Sequence, residues 1–498
     1  MTEETQQPAG GDDARVVTPA HTPPEGASTT ATWRPDDGAA LDYTATAGWT
    51  VLRAEEAPTA EVFSVSYVAD ADEARPVTFV FNGGPGAASA YLHVGVAGPL
   101  RVDFPTDGRL PSAPARVVDN ADSWLAFTDL VFIDPVGTGF SRLLPPKEGD
   151  KDADTERYYR PSSDLAAMGQ FISRWLTTNR RWDAPVLLAG ESYGGYRVGR
   201  LARRLQQDVG VGLVGVILIS PALELDMLAG TDYDVLAWVD RLPTMAAAAH
   251  HHGRSRVDGD LAAITSAAVA FATGPYASLL LRGASADPDE REATLGTVGD
   301  LLGLDGNIVR RHRGRVRIDT FARELLRDER RVLGLYDATV TAIDPFPDRD
   351  PYPGPDPTLA GTAHVFTTAV NHVLRDWLGV TTEREYTLLS MDVNKAWKPD
   401  DDTHALELSS GASDDLRYGL ALNPHLRALL VHGQHDLVTP WATTQRVRDL
   451  LDLDPATAGR VTTAVYDGGH MFYTREASRR AFTADVAALV VAATSADE

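Results

Sequence analysis

One short stretch restricts what this chain can fold into more than any other. The run Pro185 to Leu188 leads through Gly190-Glu191-Ser192-Tyr193-Gly194 into a helix-like segment, Tyr196 to Gln207. A strand that turns directly into a helix, with glycines at the corner, belongs to a sheet whose strands are joined by crossover helices. The flanking sequence keeps that rhythm. Tyr43 to Leu52, Glu61 to Tyr67, Pro76 to Phe81 and Leu130 to Ile133 have the alternation or β-branching of strands, and Ser162 to Thr177 that of a helix. Val211 to Ile219 is apolar enough for a strand covered on both faces. After an interruption come Leu426 to Val431, Thr443 to Leu451, Val461 to Tyr466 and a closing helix from Arg475 to Ala493. The expected fold class is α/β, with a mostly parallel central sheet and helices on both faces.

The interruption spans roughly residues 225–380. Met245 to His250, Leu261 to Thr273 and Thr320 to Arg327 are helix-like, and Pro-rich loops such as DPFPDRDPYPGPDP separate them. This predicts an inserted, largely helical cap between two parts of one core, residues 37–224 and 381–498. Residues 1–36 are rich in Pro, Thr, Gly and Asp and offer little to bury, which predicts a disordered tail.

Composition excludes several classes of function. The 498 residues include 46 basic and 70 acidic side chains, a net charge of −24 that repels nucleic acid and anionic membrane surfaces. No uninterrupted apolar run approaches the ~20 residues of a membrane span. Cysteine is absent, which removes disulfides and thiolate chemistry. The first residues have no basic cluster followed by an apolar stretch, so a cytoplasmic location is expected.

Gly190 to Gly194 reads G-x-S-x-G at a strand-to-helix corner. That placement presents a serine hydroxyl above the sheet, with a helix N-terminus behind it to favour negative charge. The bland alternative is a tight turn with an N-capping serine. A nucleophilic serine needs a base and the base needs an orienting acid, in the chain order serine, acid, histidine. Downstream, LRALLV ends in His432-Gly433-Gln434-His435-Asp436, and VTTAVYDGG ends in His470. Both lie where α/β sheets assemble their sites, past strand C-termini. Asp436 is therefore the candidate acid and His470 the candidate base. His432 and His435 are rivals that precede or adjoin the acid. The loop Asn82-Gly83-Gly84-Pro85-Gly86 follows a strand and can bring backbone N–H groups close to a ligand. It has no G-K-[S/T] ending for a phosphate and no G-x-G-x-x-G, so an oxyanion hole with the Tyr193 N–H fits better. His250-His251-His252 point in different directions on a helix, and the acidic clusters Asp400 to Asp402 and Asp452 to Asp454 lack calcium-loop spacing.

FNGGPGAAS, FIDPVGTGFSR, GESYGGYR, GQHD and GGHMFY occur in this order between about residues 61 and 475. Together they resemble the serine carboxypeptidase family of α/β-hydrolases. The resemblance implies a triad of Ser192, Asp436 and His470, and an oxyanion hole from the N–H groups of Gly84 and Tyr193. It also implies that Asn82, Gly83 and Glu191 hold a peptide's free C-terminal carboxylate, that Met471 borders the leaving residue's pocket, and that no metal or organic cofactor takes part. Glu191 can hydrogen-bond another carboxylate only through a shared proton, so peptides with a free C-terminus should be favoured at mildly acidic pH. The chain departs from the family at Val80, Val96 and Ala87, where tryptophan, a further glutamate and cysteine are usual. The first two weaken the expected carboxylate network and leave an esterase or acyltransferase open. A non-catalytic binding protein would be marked by a lost triad member, and none is lost.

Overall fold

The computed structural model describes residues 21–71, 74–145, 156–400 and 411–495. Its centre is a 10-stranded sheet. The strands are β1 (Ala27–Trp33), β2 (Leu41–Ala54), β3 (Ala57–Ala69), β4 (Val77–Phe81), β5 (Asp129–Ile133), β6 (Val186–Glu191), β7 (Leu213–Ile219), β8 (Arg427–Gly433) and β9 (Val461–Tyr466). They lie in the order β1-β2-β3-β5-β4-β6-β7-β8-β9, and the short Arg142–Leu143 strand pairs off the path with β3. β1, β2, β3 and β5 are joined antiparallel, and every pairing from β5 to β9 is parallel. β4 and β5 are buried at every position, as their mostly apolar sequences VTFVF and DLVFI favour in a sheet covered on both sides.

Two apolar clusters cover the two faces. One joins Phe79, Leu188 and Leu218 to α1 (Pro161–Asn179) and α2 (Tyr193–Arg204) through Phe171, Trp175, Val198 and Leu201. The other joins Val80, Ile217 and Leu429 to α7 (Glu476–Thr494) through Phe482, Val486 and Val490. Alternate residues of one strand, Phe79 and Val80, thus enter opposite clusters, which is the period-two geometry of the pleat.

The cap has its own cluster. It gathers α3 (Leu236–His251), α4 (Leu261–Phe271), α5 (Pro288–Leu302) and the short helix Ile318–Glu324 around Met245, Ile264, Leu301 and Phe321. An antiparallel pair, Arg331–Leu333 with Thr341–Ile343, interrupts the helices. α6 (Leu359–Asn371) packs instead on the core, through Val365, Phe366 and Val370.

Three expectations need correction. Residues 27–33 of the supposed disordered tail form β1, which pairs with β2 along its full length and buries Trp33. The segment ASTTATW alternates half-buried and exposed positions, a strand pattern that its small polar side chains and Pro-rich neighbours disguise; residues 1–20 lie outside the described ones. The elbow helix begins at Tyr193 and not at Tyr196, because β6 continues through Glu191 and leaves a single residue for the corner. Lastly, the helical stretch Leu261–Ser285 is long and apolar enough, by length and composition, to cross a membrane. Thr, Ser, Gly and Pro interrupt it, so a count of unbroken apolar residues misses it. In the fold, Ile264, Ala268, Tyr276 and Leu279 are buried within the cap cluster.

Candidate active site

Ser192 is the corner residue between β6 and α2. Its backbone sits at φ 60°, ψ −123°, a region costly for a residue with a side chain. Hydrogen bonds over-determine this geometry. Ser192 N–H donates to Ile219 O (2.9 Å), and its carbonyl accepts from Gly195 (2.9 Å) and Ala222 (3.1 Å). The corner closes only because Gly190 has no side chain: a Cβ there would lie 2.2 Å from Gly194 O.

Asp436 and His470 come from loops after β8 and β9. Asp436 is fully buried. Its Oδ1 accepts from the N–H groups of Val438 (2.9 Å) and Thr439 (3.1 Å), and its Oδ2 accepts from His470 Nδ1 (2.6 Å). The Thr439 hydroxyl lies 2.6 Å from that same Oδ2 and 3.0 Å from Ser220 O. With Nδ1 committed to Asp436, Nε2 is the nitrogen left on a ring that lines one pocket with Ser192. Burial alone would push the His470 imidazole down. The adjoining Asp436 charge, its hydrogen bond and Glu191 together outweigh burial and hold it above its ordinary value.

The rival histidines are placed elsewhere. His432 is buried with Nε2 2.7 Å from Thr444 Oγ1, and burial pushes it down to about 4. His435 is buried and likewise falls to about 4, with its ring 5.6 Å from that of His251. His252 turns its Nε2 to Ala338 O (2.7 Å), with the His251 ring 4.9 Å from its own. Among the described residues no group of three or more His, Asp or Glu side chains is arranged to hold a metal ion. Asp454 caps the short helix Pro455–Ala458, while Asp401 and Asp402 lie outside the described residues.

The glycine loop crosses in front of the serine. Gly83 packs so closely on the elbow that a Cβ would lie 2.4 Å from Tyr193 N. Tyr193 N–H opens α2 and has no carbonyl four residues earlier to bond. Behind the loop, Arg197 of α2 donates Nη1 to Asn82 O (2.6 Å) and Nε to Asp164 Oδ2 of α1 (2.7 Å). This buried ion pair fastens both helices to the loop. Gly83→Ala is expected to cost about 1–3 kcal/mol, since only backbone movement relieves the contact. A lower Tm and at least tenfold slower fluorophosphonate labelling of Ser192 would be the measured result, whereas wild-type values would mean the loop is not wedged against the helix.

Asn82 and Glu191 form a buried pair in the pocket wall. Asn82 Nδ2 donates to Glu191 Oε2, Leu92 N–H donates to Asn82 Oδ1 (3.1 Å), and Tyr473 OH donates to Glu191 Oε1 (2.8 Å). Burial pushes the Glu191 carboxyl up to about 7, against the opposing effects of His470, Tyr473 and Asn82. Val80 and Val96 are buried apolar residues of the core cluster, so neither supplies a polar group.

Asn82, Gly83, Gly84, Glu191, Ser192, His470 and Met471 all line one cavity of about 70 Å³. Its remaining wall is Ala87, the position of the family's usual cysteine, with Tyr91, Tyr336, Leu359 and Leu389, which no motif marks. Tyr336 belongs to the cap. Its carbonyl accepts from His470 N–H (2.5 Å), and its ring meets the imidazole edge-on at 5.2 Å. Arg475 ties the same cap loop to the histidine loop, through Asp337 (3.2 Å) and Asp467 (2.8 Å).

A model of the serine carboxypeptidase family matches residues 39–227, the part that carries the glycine loop and the serine elbow. The pheromone-processing carboxypeptidase KEX1 of Yarrowia lipolytica is 33% identical over 148 residues, 29% of this chain and 21% of that protein. Serine carboxypeptidase-like 36 of Arabidopsis thaliana is 30% identical over 161 residues, 30% of this chain and 29% of that protein. The matched stretches thus span less than a third of either relative. Among solved structures, the prohormone-processing carboxypeptidase Kex1(delta)p of Saccharomyces cerevisiae superposes with a TM-score of 0.55 at 16% identity, over 90% of this chain and 91% of that one. The α/β-hydrolase fold is thereby shown over nearly the whole chain, and residues 39–227 are similar in sequence to the serine carboxypeptidases.

Proposed function

We propose that the protein is a serine-type carboxypeptidase acting on peptides with a free C-terminus. The observation that carries this reading is the Asn82–Glu191 pair, buried in the wall of the cavity that Ser192 and His470 also line. A carboxyl group held neutral beside an amide donor can bind a carboxylate that an ordinary glutamate would repel.

In the reaction, Ser192 Oγ attacks the last peptide carbonyl while His470 Nε2 takes its proton. The N–H groups of Gly84 and Tyr193 receive the oxyanion, where one such donor is worth about 10²–10³-fold in rate. His470 then hands the proton to the departing amine. Water, activated by the same nitrogen, releases the acyl group from Ser192. Asn82 Nδ2, the Gly83 backbone and protonated Glu191 hold the substrate carboxylate, and Met471 borders the side chain of the leaving residue. These steps need neither metal nor organic cofactor.

The pH dependence follows from two groups with opposite requirements. Glu191 must keep its proton, which it loses as pH rises through about 7. His470 must be neutral, which fails as pH falls through its raised value. The two groups interact, so both limbs belong to the pair. For N-blocked dipeptides, kcat/KM is expected to be bell-shaped and to fall about tenfold per unit well above pH 7. Esters without a carboxylate should keep the acid limb and lose the alkaline one. The test is amino-acid release from N-blocked dipeptides against their amidated twins. Equal turnover of both, or identical profiles for peptide and ester, would overturn the clamp and leave an esterase or acyltransferase.

A further inference from the structure

We propose that Tyr473 is a positioning residue for carboxylate recognition: its buried hydroxyl fixes Glu191 and dictates which carboxyl oxygen carries the proton. This rests on the clamp reading above and deepens it.

Tyr473 is completely buried in the turn after His470 and does not line the cavity. The acceptor of its hydroxyl proton is Glu191 Oε1, at 2.8 Å. If Oε1 took up the acid proton and turned it toward Tyr473, the phenol would have to accept it and turn its own proton away from the acceptor it has among the described residues, leaving a buried donor unsatisfied. Tyr473 therefore keeps Oε1 an acceptor, and the proton of neutral Glu191 resides on Oε2. That oxygen is the one beside Asn82, and both residues line the cavity. A proton on Oε2 is one that an incoming carboxylate can share.

The packing makes room for this arrangement. The Tyr473 ring lies where a Cβ on Gly95 would approach Cε2 to 2.8 Å. Gly95 sits in the turn His93–Ala97, beside the apolar Val96. The titratable groups facing Glu191 are His470, Asp436, Tyr91, Tyr336 and Tyr473. Burial pushes all three phenols up, so they are neutral through the working range, and the charge around Glu191 comes from His470 and Asp436.

Tyr473→Phe removes one hydroxyl and retains the ring. Two measurements test the assignment, each normalised to Ser192 titrated with fluorophosphonate. The first is the infrared C=O band of protonated Glu191, identified by its loss in Glu191→Gln. In Tyr473→Phe its titration midpoint is expected to rise by ~0.5–1 pH unit, because a donor to the ionised form is gone. The second is kcat/KM on an N-blocked dipeptide. Its alkaline limb should move up with the band, while KM at pH 6 rises about three- to tenfold as the proton loses its fixed seat. Gly95→Ala, which pushes on the ring and keeps the hydroxyl, should shift the band in the same direction. An unmoved band overturns the proposal. A band that moves while limb and KM do not makes Tyr473 a structural partner only, which also overturns it. A wild type that treats peptide and amide alike overturns the clamp itself, and the band separates that failure from the others.

Discussion

Ser192→Ala is expected to lower kcat/KM on N-blocked dipeptides by ~10⁴–10⁶-fold and to abolish fluorophosphonate labelling, with little change in Tm. The size follows from the alternative routes left to the site. Without the hydroxyl, hydrolysis needs direct attack by water. Only binding and the oxyanion donors remain, which in serine hydrolases leave a residual ~10³–10⁴ over water. The small effect on stability follows from geometry. Ser192 is partly exposed at the corner, and its backbone bonds to Ile219, Gly195 and Ala222 do not involve Oγ. Alanine must still adopt φ 60° there, as serine already does. Loss of activity together with loss of the fold would show that the corner depends on the hydroxyl. Retention of more than about one per cent of the activity would place the nucleophile elsewhere.

The parts of the site legible in the sequence are those whose chemistry is tied to a strand end. Ser192 and Asp436 each follow an apolar run that reads as a buried strand and His470 follows the β-branched run VTTAVY, so their convergence at one edge follows from the parallel topology. Other residues that reach the cavity carry no such signature. Tyr336 lies between two short strands of the cap, Leu359 opens α6, and Leu389 forms an isolated bridge with Ala87, so their places depend on tertiary packing. Tyr473 is only three residues beyond the base, yet its role depends on Gly95, nearly four hundred positions earlier, leaving space for its ring. Arg197 lies within the GESYGGYR motif, but its charge is explained only when Asp164 of another helix and Asn82 O are brought beside it. β1 was hidden for a related reason: an edge strand needs one covered face only, and its run of Ala, Ser and Thr is as polar as a loop.

Asp436→Asn is the second large effect expected, ~10⁴-fold in kcat, with stability reduced less than a buried position would suggest. Under the proposed mechanism the carboxylate does two things. Oδ2 accepts from His470 Nδ1 at 2.6 Å, which fixes the tautomer with Nε2 free as a base, and its charge sustains the imidazolium that forms when the serine proton moves. The backbone donors of Val438 and Thr439 hold Oδ1, so an asparagine will place its oxygen there and its NH₂ toward the histidine. That NH₂ can only donate. Nδ1 must then accept, the proton moves to Nε2, and the base is lost while its geometry survives. The charge is lost too, so the His470 imidazole should fall below its ordinary value, because burial then acts without the carboxylate that outweighs it. The acid limb of whatever activity remains should consequently move to lower pH. ¹⁵N NMR of the imidazole reads both changes directly: protonated Nδ1 in the wild type, protonated Nε2 in the variant. An unchanged tautomer with full activity would mean that Asp436 is not the group that orients His470.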